Sequence, residues 1–120
     1  MTPSLTTRIA AHRARLNERL AMIAKATAGP WNTQTYSYRV QTNEGGIGRF
    51  VAEMMSHTSC ERDTDATFIA AARTGWEESI KAELVALDAL EWIRDNSKTH
   101  EGRRAERALL TILDRAEAQP

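Results

Sequence analysis

Apolar residues between positions 65 and 93 fall at Ile69, Trp76, Ile80, Leu84, Leu87, Leu90 and Ile93, in steps of seven, four, four, three, three and three. Steps of that size keep side chains on one face of an α-helix. The spacing therefore predicts a core helix over 64–96. Gly75 is its weak point, because glycine in a helix interior costs roughly 1 kcal/mol against alanine and is able to mark a bend. Thr2 followed by Pro3 reads as a helix start, with a capping hydroxyl and a residue whose missing N–H costs nothing there. From that point Leu5, Ile9, Leu16, Leu20 and Ile23 keep the same period until Gly29-Pro30, which predicts a first helix over about 3–27 within an N-terminal segment 1–28.

The period then changes. Tyr36, Tyr38 and Val40 alternate with Ser37, Arg39 and Gln41, as in a half-buried strand. Thr42-Asn43-Glu44-Gly45-Gly46 reads as a turn. The following segment, 47–55, fits two templates: Phe50, Ala52 and Met54 alternate like a strand, whereas Ile47, Phe50, Val51, Met54 and Met55 fit a helix. Glycines before and within it, after a strand, favour a hairpin, and the β region is set at 31–56. Polar residues 56–63 read as a loop, with Asp63 or Thr64 capping the central helix. After a break around 97–102, Ala105, Leu109, Ile112, Leu113 and Ala116 form the apolar face of a last helix, 101–117. Trp76 and Trp92 read as core or interface anchors. The expected class is α+β, mainly helical with about three helices and a short β-hairpin or small antiparallel sheet between the first and second. One domain spans 1–120.

Composition leaves the chain globular, at 42% hydrophobic and 27% charged, with a net charge of zero. The zero hides an asymmetry: residues 1–30 hold five Lys and Arg against Glu18, and residues 61–97 hold nine acids against four bases. A basic first segment and an acidic central one are expected to lie near each other, within a protomer or between protomers. The longest apolar runs are too short to span a bilayer and the N-terminus lacks a secretory core, so a cytoplasmic location without membrane contact is expected.

Candidate chemistry is sparse. Cys60 is the only cysteine, which rules out an internal disulfide and a multi-thiolate metal site from one chain. His57 and Cys60 lie three apart without a third group to orient a base, so no catalytic, metal or cofactor residues are assigned. Arg8, His12, Arg15 and Arg19 form a stripe about a quarter turn from the apolar one on the first helix. Its bland reading is a solvated border, with the arginine stems covering core edges. Its sharper reading is a face for an anion or an acidic partner. Arg103, Arg104 and Arg107 near the start of the last helix oppose the macrodipole, which points to an acidic partner, either the central helix of the same chain or that of a neighbour.

Three short motifs recur in order: Gly29-Pro30-Trp31 after the first helix, Gly48-Arg49-Phe50-Val51-Ala52 in the β region, and Phe68-Ile69-Ala70-Ala71-Ala72-Arg73 opening the central helix. In this the chain resembles the Ead-like early-region accessory proteins of tailed bacteriophages and prophages, over residues 20–75 or so. Where such proteins often show an acid and a proline after the arginine, this chain has Thr74-Gly75-Trp76. The resemblance implies a phage-encoded accessory protein acting in the infected bacterial cell, with no catalytic residues to carry over. Trp31 packing back on Phe68 and Ile69 as a structural staple is the preferred reading of the shared residues. The alternative is a pocket in which Trp31, Arg49 and Arg73 hold a nucleotide-type anion. The expected function is therefore a non-enzymatic host-interaction protein, expected to form a homo-oligomer, to bind a host protein and to counter host defence. Behind it come a sequestering protein for a small anionic defence signal and a DNA-binding regulator, the last disfavoured by the charge balance and the missing recognition helix.

Overall fold

The computed structural model describes residues 2–26, 29–33, 38–42, 50–54 and 59–119. Its elements are α1 (Leu5–Lys25), β1 (Trp31–Asn32), β2 (Arg39–Thr42), β3 (Phe50–Glu53), α2 (Ser59–Asn96) and α3 (His100–Glu117). Three helices and a small antiparallel sheet between the first two make it a mainly helical α+β protein. The contacts cluster into two units, one of residues 1–20 with 80–120 and the other of residues 21–79.

In the first unit, parts of α1 and α2 pack with α3. The helical period delivers Ile9, Leu16, Ile80, Leu87, Leu109 and Leu113 to its core, all essentially inaccessible to solvent. Burying each such side chain contributes about 1.5–3 kcal/mol. Ser4 caps α1 by accepting the Thr7 N–H at 3.2 Å, and the Ser4 carbonyl accepts the Arg8 N–H at 3.0 Å. The expected Thr2-Pro3 start lies just outside the helix, because Ser4 supplies the oxygen at the position where the free amides need it.

Charge binds the same three helices. Arg13 Nη2 bonds Asp88 Oδ1 at 2.8 Å and Glu91 Oε1 at 2.9 Å. Arg8 reaches Asp114 at 2.8 Å and Glu117 at 2.7 Å. The basic first segment thus meets acids of α2, and also acids of α3 that the charge count did not single out. At the α2–α3 corner Gly102 is buried. A Cβ there would sit 2.1 Å from the Ser97 carbonyl oxygen, so only glycine lets the two backbones approach this closely.

The second unit places the sheet on the first part of α2. β1, β2 and β3 form an antiparallel meander in that order. Trp31 pairs with Thr42 and Asn32 with Gln41, and Val40 pairs with Ala52 before a register shift at Val40/Gln41. Val40, Ala66 and Ala70 are its buried centre, with Trp31, Val51, Ala52, Met54 and Ile69 packed around them. Small residues at 66 and 70 let the sheet sit close to the helix. Of the two expected forms, a hairpin or a small antiparallel sheet, the sheet is the one present; its third strand is Trp31–Asn32, two residues that carry no alternation of their own.

α2 differs from the expectation at its start. It begins at Ser59, so residues 59–63 are helical and not loop. Asp63 and Thr64 lie inside the helix and do not cap it; the Thr64 hydroxyl instead donates to the Cys60 carbonyl at 3.0 Å. Gly75 does not interrupt the helix. Trp76 and Trp92 are not core residues, being 43% and 67% exposed.

Candidate functional site

Residues from two of the three motifs converge in the second unit. Where the chain leaves α1, it passes through a cis Gly29-Pro30 bond and enters β1 at Trp31. Helical phase turns Arg73 of α2 toward this crossing. Its guanidinium lies over the Trp31 ring, 5.6 Å from the centroid, and a Cβ on Gly29 would come within 3.3 Å of its Cζ. Arg73 Nη1 donates to Glu77 Oε2 at 2.9 Å, one helical turn on, and Nη2 donates to the Ile23 carbonyl at 3.4 Å. The side chain is nine-tenths buried. Two of its nitrogens are engaged internally while the buried Nε has no hydrogen-bond partner among the described residues; Arg73 bonds the α1 C-terminal turn and supports Trp31, which is staple chemistry. Trp31 packs with Ile69 in the cluster around Val40. Phe68 takes no part and is 72% exposed, because one residue of helical rotation separates it from the face that Ile69 shares with Ala66. Arg49, the third member of the expected pocket, lies outside the described residues.

Beside this staple opens a groove of about 410 Å³, lined by Met22, Ile23 and Ala26 at the end of α1, Trp31 of β1, and Ile69, Ala72, Arg73 and Trp76 of α2. Its wall is almost wholly apolar. Met22, 54% exposed, and Trp76 stand at its edge with much of their surface in water. The one charged lining residue bonds Glu77 through Nη1 and the Ile23 carbonyl through Nη2, while its buried Nε has no hydrogen-bond partner among the described residues.

The expected cationic stripe of α1 divides. His12 is buried at 2% exposure, flanked one turn each way by Ile9 and Leu16, with Nε2 2.9 Å from Glu83 Oε1 and Nδ1 without a hydrogen-bond partner. Arg8 is consumed by Asp114 and Glu117, whose hydrogen bonds raise its pKa further above the ordinary guanidinium value and hold Glu117 below the usual carboxylate range. Glu91 likewise raises Arg13. Arg15 and Arg19 remain half-buried at the helix flank. On α3, Arg103, Arg104 and Arg107 are exposed and make no ion pair with another described residue.

No family model, curated protein or solved structure matches this chain. The site is therefore read from its own chemistry. Cys60 is exposed and free, and His57 lies outside the described residues. Among the described residues, no cluster of three or more His, Cys, Asp and Glu is able to hold a metal ion, and no helix is long and apolar enough to cross a membrane. The groove itself escaped the sequence reading. Met22 falls off the main apolar stripe of α1, and only the packing of α1 beside Trp76 gives it a role.

Proposed function

We propose that this protein is a non-enzymatic interaction protein that seats apolar side chains of a partner protein in the groove edged by Met22 and Trp76. The observation that carries this reading is the groove's chemistry. About 410 Å³ of apolar wall with exposed Met and Trp at its edge offers the adaptable, aromatic surface on which proteins anchor one another. An amphipathic helix laying large residues into such a groove is the recurring solution. Taken with the Ead-like resemblance, the partner is a host protein, the setting is the infected bacterial cell, and the effect is interference with host defence.

The runner-up reading, capture of a small anionic defence signal, draws on the Trp31–Arg73 stack. It is the weaker of the two because the Arg73 charge is already paired with Glu77 and its Nη2 with the Ile23 carbonyl, which leaves only a buried Nε without a hydrogen-bond partner among the described residues. DNA regulation stands third, since Arg8 is committed to carboxylates and His12 to the core.

The test compares wild type with Met22→Asp, a change at a position 54% exposed, with circular dichroism checking that the variant keeps the fold. Each tagged protein is recovered from bacteria after in-cell crosslinking, and copurifying proteins are quantified by mass spectrometry. A specific partner that is retained by wild type and lost from Met22→Asp is the expected result. An identical set of partners for both proteins, or stabilisation of wild type by a cyclic or linear nucleotide in a thermal-shift panel, would count against groove-mediated protein binding.

A further inference from the structure

The outer face of α2 within the first unit carries an apolar seam that the chain's own core does not use. Ala82, Val85, Ala89 and Trp92 are all exposed, Val85 at 68% and Trp92 at 67%. Their spacing of three, four and three is that of the a and d positions of a helix pair. On the same helix Ile80 and Leu87 are buried, and Glu83, Asp88 and Glu91 bond to α1. The helix is therefore fully anchored without the seam.

We propose that this seam binds a second copy of the chain as an antiparallel, two-fold α2–α2 pair. The sequence of the seam is its own complement when reversed. With the two-fold axis at Leu87, Trp92 falls opposite Ala82 of the partner subunit and Val85 falls opposite Ala89 of the partner subunit. Each large side chain thus meets a small one, which is how facing helices interdigitate. The flanking charges agree with the same register. Lys81 stands at one end and Asp95 at the other, on the same edge; Asp95 Oδ1 accepts from Arg94 Nε at 2.9 Å within its own chain, and reversal brings Lys81 alongside Asp95 of the partner subunit as a second cation. Asp88, on that edge near the axis, would face its own copy, but Arg13 already neutralises it through a 2.8 Å bond. A parallel pairing would instead set Lys81 against Lys81 and Trp92 against Trp92. The two-fold arrangement also closes on itself, as most homodimers do.

The pairing stands apart from the groove of the second unit and does not depend on it. Sedimentation velocity over a dilution series tests it, with wild type, Val85→Asp, Lys81→Asp, Asp95→Lys and the Lys81→Asp/Asp95→Lys double variant. Circular dichroism of each confirms that the fold survives. Wild type is expected to dimerise and to dissociate on dilution. Val85→Asp should weaken the dimer at least about tenfold, as loss of a central apolar anchor does. Each single charge reversal should weaken it, and the double variant should recover it. A wild type that stays monomeric at every concentration overturns the proposal, even if some other protein binds Trp92. So does a dimer indifferent to Val85→Asp, or one that the double charge reversal fails to restore. Met22→Asp should leave this dimer unchanged, so its result and that of the groove test are read separately.

Discussion

Gly102 and Gly75 both sit inside helices, yet the same substitution should move stability in opposite directions at the two. At Gly102 an added Cβ would lie 2.1 Å from the Ser97 carbonyl oxygen and 3.1 Å from its carbonyl carbon. A comfortable C···O approach is about 3.3 Å, so the α2–α3 corner must open by about 1 Å. The obstructing atoms belong to the backbone and no rotamer change relieves them. Overpacking of this kind costs about 1–3 kcal/mol, here about 2–3 because backbone and not side chain must move, and the higher helix propensity of alanine returns roughly 1 kcal/mol. Gly102→Ala is therefore expected to lose about 1–2 kcal/mol.

At Gly75 the same Cβ meets nothing within 4 Å. Only the propensity gain remains, and Gly75→Ala should gain about 0.5–1 kcal/mol. For a chain of this size 1 kcal/mol moves Tm by about 4 °C, so the two variants should melt on either side of wild type, separated by roughly 6–12 °C. Thermal unfolding followed by far-ultraviolet circular dichroism, with urea midpoints as a second measure, decides it. A Gly102→Ala protein as stable as wild type would refute the close approach at this corner, and a destabilised Gly75→Ala protein would refute the unbroken α2.

Three further perturbations probe the polar anchors. Arg73→Lys keeps the charge but loses the planar stack on Trp31 and the forked contacts to Glu77 and Ile23; it should cost about 1–2 kcal/mol in urea unfolding, and no loss would argue against the staple. His12 and Glu83 should respond unequally. Glu83→Ala strands a buried imidazole and is expected to cost about 1–3 kcal/mol, whereas His12→Leu removes the buried polar group and leaves Glu83 near water, so it should be neutral or stabilising. Glu117 is held below its ordinary value of 4.5, chiefly by the Arg8 hydrogen bond. A depressed carboxyl binds fewer protons folded than unfolded, so its contribution is complete above about pH 4.5 and fades as pH falls through the lower folded value. Urea midpoints measured against pH should therefore fall less steeply in that window for Glu117→Gln than for wild type.

The three helices were legible because apolar residues such as Ile9, Leu16, Leu87, Leu109 and Leu113 repeat at the helical period and all end up buried. The start of α2 was not, since Ser59 to Asp63 is polar throughout and carries no period; those residues are helical without an apolar stripe of their own. β1 lies inside the expected 31–56 β region but is not separable there as a strand for a related reason: two residues cannot alternate, and their strand character comes from pairing with Thr42 and Gln41. His12 shows how a stripe a quarter turn from the core is drawn inward when a carboxylate, Glu83, is there to receive it. Arg73 and Trp31 were expected together only as walls of an anion pocket with Arg49, whereas the preferred staple set Trp31 on Phe68 and Ile69; the stack of Arg73 on Trp31 at 5.6 Å belongs to neither reading alone. The engagement of Arg73 by Glu77 could also have been read from their i, i+4 spacing. The groove at Met22 and the close approach at Gly102 depend on how helices pack against one another, which no local pattern encodes.

All of the interaction surfaces proposed above require α2 to be one continuous helix that buries Ala66, Ala70, Ile80 and Leu87 while presenting Trp76, Val85 and Trp92 to water. Backbone chemical shifts and amide exchange from Ser59 to Asn96 test that most directly. An unbroken run of helical Cα shifts through Thr74, Gly75 and Trp76, with slow exchange at Ile80 and Leu87, is the predicted result. Random-coil shifts with fast exchange at Gly75 and its neighbours would contradict it.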